Sequence, residues 1–138
     1  MTASQNTSSS QLRQHYARVV RELREQAGIT QHALGNAAGV HRVYVNQVET
    51  ATINFSIDSL DRLLKVLSPS LDKRSLRVRL AENLKVRRGE LSQEAFATVL
   101  DVPVLYVSRV ERFVVATSID QIDRLADKLK IDGTELLS

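Results

Sequence analysis

Between Gln11 and Gln26, apolar residues fall at three- and four-residue steps (Leu12, Tyr16, Val19, Val20 and Leu23), the spacing of an amphipathic helix. Gly28 ends it. Thr30 is an N-cap for a second helix, expected to turn Ala33, Leu34 and Ala37 inward, and Gly39 supplies the turn that follows. The third helix, from about His41 to Glu49, buries Val45 and Val48 and leaves His41, Arg42, Val43, Asn46 and Gln47 on its other face. Ser56 caps a fourth helix with the apolar stripe Ile57, Leu60, Leu63, Leu64 and Leu67. Asp58 near its start suits the positive end of the helix dipole, which is a better account of Asp58 and Asp61 than a catalytic carboxylate pair.

The plan then starts again. Leu76, Leu80 and Leu84 mark a helix, Gly89 a break carrying one extra residue, Ser92 a cap, and Ala95, Phe96, Val99 and Leu100 an expected inner face. Leu91 to Glu111 repeats Ile29 to Glu49 at an offset of 62, and the offset runs without a gap to Leu67, giving about 14 identities in 39 aligned positions. Among them are Gln31 with Gln93, Val40 with Val102, Tyr44-Val45 with Tyr106-Val107, Val48-Glu49 with Val110-Glu111, and Ser56-Ile57-Asp58 with Ser118-Ile119-Asp120. A repeat of this kind makes each copy one structural unit. Ser118 and Gln121 form a capping-box pattern, and Asp132 to Ser138 reads as a short closing helix. The resulting boundaries are a disordered tail at 1–10, domains at 11–68 and 75–138, and a linker at 69–74 that has room for a short fifth helix capped by Ser70.

Helix, tight turn and helix is the helix-turn-helix arrangement. The sequence resembles the lambda-repressor/Cro-like, or XRE-type, family, through Thr30-Gln31 and Ser92-Gln93 at the start of the second helix, the turns at Gly39-Val40 and Asp101-Val102, and the terminal Glu49 and Glu111. The resemblance implies an all-α fold of two tandem helix-turn-helix domains, each of four to five short helices. It also implies an ion pair from Arg24 to Glu49 that links the first helix to the third. In the second copy the extra residue shifts this register, which makes Lys85 the expected partner of Glu111. The chain departs from the family pattern at Ala51 and Phe113, where glycine is usual, and at Phe55 and Thr117, where proline is usual.

Composition narrows the function. The 138 residues carry 19 Lys+Arg against 16 Asp+Glu, a net charge of +3 that permits an anionic partner without requiring one. Lys73, Arg74, Arg77, Arg79, Lys85, Arg87 and Arg88 set seven cations against Glu82 in one stretch. With no cysteine and three separated histidines, neither a disulfide framework nor a metal site is expected, and no cofactor. No apolar run is long enough to span a membrane, and the N-terminus lacks signal-peptide order, so a cytoplasmic protein is expected; the family resemblance further implies nucleoid association and a bacterial or mobile-element origin. No nucleophile–base pair or glycine-rich phosphate loop suggests an enzyme.

The candidate chemistry is therefore recognition of double-stranded DNA. Arg42 can pair with guanine and Gln47 with adenine in the major groove, each contact discriminating by about 1 to 3 kcal/mol. The resemblance places Gln31, and with it Gln93, where the family holds phosphate and braces the reading helix; His41 stands at the cap position. Val43, Asn46, Tyr44 and Tyr106 complete the surface, the tyrosines either reaching the DNA backbone or packing. In the second copy, Pro103, Val104 and Leu105 occupy the positions matching His41, Arg42 and Val43. Ser108 and Arg109 remain as polar groups, and Arg77 and Lys85 are candidate phosphate contacts. The expectation is a sequence-specific transcriptional regulator, by default a repressor, with the first domain reading bases and the second supporting backbone binding and assembly. A homodimer or a contact with RNA polymerase is a further partner this leaves open. An antitoxin and a protein-interaction adaptor built on the same scaffold are the alternatives.

Overall fold

The computed structural model describes residues 10–69, 74–115 and 117–138. The tail at 1–9 and the linker segment at 70–73, including Ser70 as a cap, lie outside them. Over the described residues the chain is all-helical: α1 (Gln11–Ala27), α2 (Gln31–Ala38), α3 (Arg42–Glu49), α4 (Ile57–Leu67), α5 (Leu76–Arg88), α6 (Gln93–Leu100), α7 (Val104–Glu111) and α8 (Ile119–Leu129), closed by a 3-10 turn at Gly133–Leu136. The caps follow the sequence. The side chains of Ser10, Thr30, His41, Ser56, Ser75, Ser92 and Ser118 each accept a backbone N–H of the first helical turn, each worth about 1 kcal/mol. Pro103, starting α7, makes no such bond.

Ser10 departs from the tail assigned to it. Its hydroxyl caps α1 at Arg13 and donates to Asp120 at 3.0 Å, so Ser10 belongs to the first helical unit rather than to the tail. The capping box at Ser118 is only half formed: Ser118 accepts from the Gln121 N–H, while the Gln121 side-chain carbonyl accepts from Arg124 at 2.6 Å. The complete capping box belongs to Asp132 and Glu135 in the closing turn.

The inner faces of α2 and α6 also differ from the periodicity reading. Leu34 and Gly35 are buried while Ala33 and Ala37 are exposed, and Phe96, Ala97 and Leu100 are buried while Val99 is exposed. A helix of eight residues makes little more than two turns, so its crossing angle with neighbours, rather than a stripe, selects the buried positions. Gly35 sits where the backbone closes up: a Cβ there would lie 2.6 Å from the Val40 carbonyl. The second copy has Ala97 at this point and the same turn bond, from the Val102 N–H to the Ala97 carbonyl at 3.0 Å, so a small opening admits a methyl group.

Gly39 and Asp101 end α2 and α6 in the same left-handed conformation, φ 76° and 58°. An exposed aspartate tolerates that region less well than glycine, and its ionic contact with Lys128 at 3.9 Å is exposed and weak. Asp101→Gly is therefore expected to stabilise the protein by roughly 0.5 to 1 kcal/mol, measured as a rise in melting temperature; a fall would contradict this turn geometry. The loops after α3 and α7 keep a left-handed residue even without the family's glycine, at Ala51 (φ 58°) and Phe113 (φ 63°).

The two halves meet through a pairing that fixes their relation. Ser56 and Ser118, equivalent in the repeat, form an isolated antiparallel bridge. The Ile57 N–H donates to Thr117 O at 2.9 Å and the Ile119 N–H to Phe55 O at 2.8 Å, each bond the mirror of the other under the 62-residue offset. Head-to-tail stacking would pair unlike positions; equivalent residues meeting antiparallel is what a pseudo-twofold rotation produces. Packing obeys the same axis, α1 against α8 and α5 against α4. Arg13 pairs with Asp120 and hydrogen-bonds Ala51 O, while Arg77 pairs with Asp58 at 2.7 Å and hydrogen-bonds Phe113 O. The Leu12 N–H reaches Asp123 and the Leu76 N–H reaches Asp61. Buried side chains of both halves, among them Val20, Val48, Phe55 and Leu60 with Leu84, Val110, Ile119 and Ile122, form one continuous core.

Candidate nucleic-acid interface

α3 is held from beneath by an ionic network. Arg24 Nε donates to Glu49 Oε2 at 2.6 Å and its Nη2 to Oε1 at 3.0 Å, and Gln31 Nε2 adds a third bond to Glu49 at 3.0 Å. Glu49 is 4% exposed, and its carboxylate raises the Arg24 pKa above the ordinary arginine value. This is the pair that the family resemblance implied.

The second copy builds the same network with a different cation. Arg88, not Lys85, grips Glu111 in a bidentate pair at 2.8 and 3.1 Å, and Gln93 donates to Glu111 at 2.9 Å. The loop before α6 does carry one extra residue, but α5 ends on Arg88 itself whereas α1 continues three residues beyond Arg24, so the arginine arrives in register. Burial pushes the Glu111 carboxyl up, yet the bonds from Arg88 and Gln93 outweigh it and leave its pKa below the ordinary value. Lys85 lies over the Phe113 ring, 5.4 Å from its centre, a cation–π contact.

The basic stretch of α5 is thus largely engaged within the fold. Besides Arg88, Arg77 is committed to Asp58, whose pKa it lowers. Arg74 pairs with Glu82 at 2.5 Å, Arg87 with Glu135 at 2.8 Å, and Arg79 donates to Leu137 O at 3.0 Å. The charge count could not show this, because all of these arginines except Arg74 find their partners on distant elements.

The outer face of α3 presents Arg42, Val43 and Asn46 as exposed side chains with Gln47 and Tyr44 half-buried at its edges. Arg42 enters no ion pair among the described residues. Asn46 accepts from Gln31 at 3.2 Å, which leaves its own amide N–H groups for a partner. Both donors of the Gln31 amide are then occupied, by Asn46 and Glu49, so here Gln31 braces the helix. Gln93 uses one N–H on Glu111 and retains the other. His41 Nδ1 accepts the Val43 N–H at 3.0 Å as the cap of α3.

On α7 the matching positions are apolar: Val104 is 43% and Leu105 51% exposed, close to the 48% of Val43. Arg109 is exposed and Ser108 half-buried. The Tyr106 hydroxyl meets Thr117 Oγ1 at 2.9 Å, and burial raises its pKa, so this tyrosine serves the packing side of the two readings open to it. Sequence reasoning missed Arg13, Asp120 and the Ser56–Ser118 bridge; the recurrence of arginine at 13 and 77 and of aspartate at 58 and 120 was the available signal.

Among the described residues no helix is long and apolar enough to cross a membrane, and no group of side chains there could hold a metal ion. Residues 15–76 match a family model described as a helix-turn-helix domain, which takes in nearly all of α1, α2 to α4 and the first residue of α5. No curated protein and no solved structure matches the chain.

Proposed function

We propose, on the premise of a helix-turn-helix domain over residues 15–76, that the protein is a sequence-specific regulator of transcription that binds double-stranded DNA, acting as a repressor by occupying its site. The observation that carries this reading is the outer face of α3, where Arg42, Asn46 and Gln47 stand together on a helix fixed from behind by Arg24, Gln31 and Glu49. Arginine and amide side chains are the groups that distinguish guanine and adenine in the major groove, and a braced helix holds them in a constant geometry. The pseudo-twofold supports a built-in dimer, in which a second helix-turn-helix unit of the XRE type, α5 to α8, brings α7 toward the same duplex. In this reading α3 supplies the hydrogen-bonded specificity, and the second unit supplies backbone affinity through Gln93 and Arg109 and the assembly of the pair.

Because Arg77, Arg87 and Arg88 are paired within the fold, the phosphate contacts are expected to be few. Binding should fall with salt along a log–log slope of about −0.9 for each phosphate neutralised, read by fluorescence anisotropy on a genomic fragment library over a salt series. Absence of duplex affinity at low salt across the library would end the DNA-binding reading.

A further inference from the structure

We propose that α7 reads its half of the site through the C5 methyl groups of pyrimidines, with Val104 and Leu105 as the specificity-determining side chains, so that one face of the operator is read by hydrogen bonds and the other by methyl contacts. The proposal rests on the DNA-binding reading above and deepens it. Its geometric ground is the pseudo-twofold: the Ser56–Ser118 bridge and its reciprocal bonds relate each element to its equivalent, so α7 stands to α5 and α6 as α3 stands to α1 and α2. The supporting networks repeat as well, Arg88–Glu111–Gln93 matching Arg24–Glu49–Gln31. A surface that offers α3 to a major groove therefore offers α7 to another.

What α7 presents there is chemically narrow. Val104 and Leu105 occupy the positions of Arg42 and Val43 and remain about half exposed, while Val107 and Val110 on the opposite face are buried. Pro103 has no N–H to donate, and the Tyr106 hydroxyl is turned to Thr117. An aliphatic side chain finds one apolar feature among the base edges of the major groove, the methyl group on C5 of thymine or of 5-methylcytosine. Arg109, exposed one turn further along, supplies the cation that keeps such a helix on the duplex.

The test begins from a duplex selected by the full-length protein. Each thymine is replaced singly by deoxyuridine, which removes the methyl group and leaves the base pair unchanged. One or two positions, confined to one half-site, are expected to weaken binding about fourfold each, the worth of one buried methyl-sized group. In a Val104→Ala, Leu105→Ala variant that melts like the parent the deoxyuridine penalty should vanish, and in Arg42→Ala it should persist; Leu105→Ala alone, expected to remove part of the penalty, serves if the double variant is poorly folded. At the sensitive positions, 5-methylcytosine binding better than cytosine would show the methyl group alone to be read, and equal binding would assign the contact to thymine. Duplex binding indifferent to deoxyuridine, or a penalty that survives both variants, would overturn the proposal while leaving the DNA-binding reading intact. So would a concentration-dependent dimer that Val104→Ala, Leu105→Ala abolishes while DNA affinity is unchanged, since α7 would then be a protein contact. A protein that binds no duplex removes both readings.

Discussion

Phe55→Ala is expected to cost about 3 to 5 kcal/mol and to lower the melting temperature of the entire protein by roughly 10 °C or more, in one transition. Phe55 is 1% exposed, belongs to the core that both halves share, and its carbonyl accepts the Ile119 N–H from the other half. The ring leaves a cavity at the point where the pseudo-twofold brings the copies together, so neither half keeps its packing when the other loses its own. Thermal melting followed by circular dichroism and by calorimetry should give the same midpoint by both methods, in the parent and, at its lower temperature, in the variant. Two separated transitions, with only the first moved by the substitution, would mean that the halves fold as independent domains and that the shared core contributes little.

The second large effect belongs to DNA. Arg42→Ala and Gln47→Ala should each cost about 1 to 3 kcal/mol on the preferred duplex and flatten preference at one base position. Their combined loss is expected to approach the sum only if the two contacts are independent, because neighbouring side chains couple. Affinity for unrelated duplex should change much less, since a residue that reads a base edge contributes little where that base is absent. Competition binding against selected and scrambled duplexes separates the two effects; an equal loss on both would make Arg42 a backbone contact instead of a reader.

Much of this was written locally in the sequence. The caps Thr30, Ser56, Ser92 and Ser118 and the outward set on α3 follow from spacing and side-chain chemistry over a few residues, and the structure places them accordingly. Failures came where the answer depended on contacts far along the chain. The partner of Arg77, Asp58, lies on another helix, 19 residues away, and no count of charges along α5 reveals it. The extra loop residue points to Lys85 as the partner of Glu111, but α5 ends on Arg88, and it is Arg88 that makes the pair. Ala37 and Val99 were turned inward by a periodicity that an eight-residue helix is too short to enforce. The pseudo-twofold lay beyond local reasoning altogether: a direct repeat is equally compatible with translation and rotation, and the pairing of Ser56 with Ser118, with the reciprocal contacts around it, distinguishes them.

That pairing underlies the proposal that two helix-turn-helix units related by a pseudo-twofold engage one duplex together. Hydroxyl-radical footprinting of the selected duplex tests it most directly, because backbone protection reports where each unit lies regardless of which bases it reads. The account predicts two protected patches on one face of the DNA, about one helical turn apart, whose pattern on one strand is repeated on the other by a twofold rotation, although the base sequences beneath them differ. A single patch, or two patches repeated in the same direction along one strand, would contradict it.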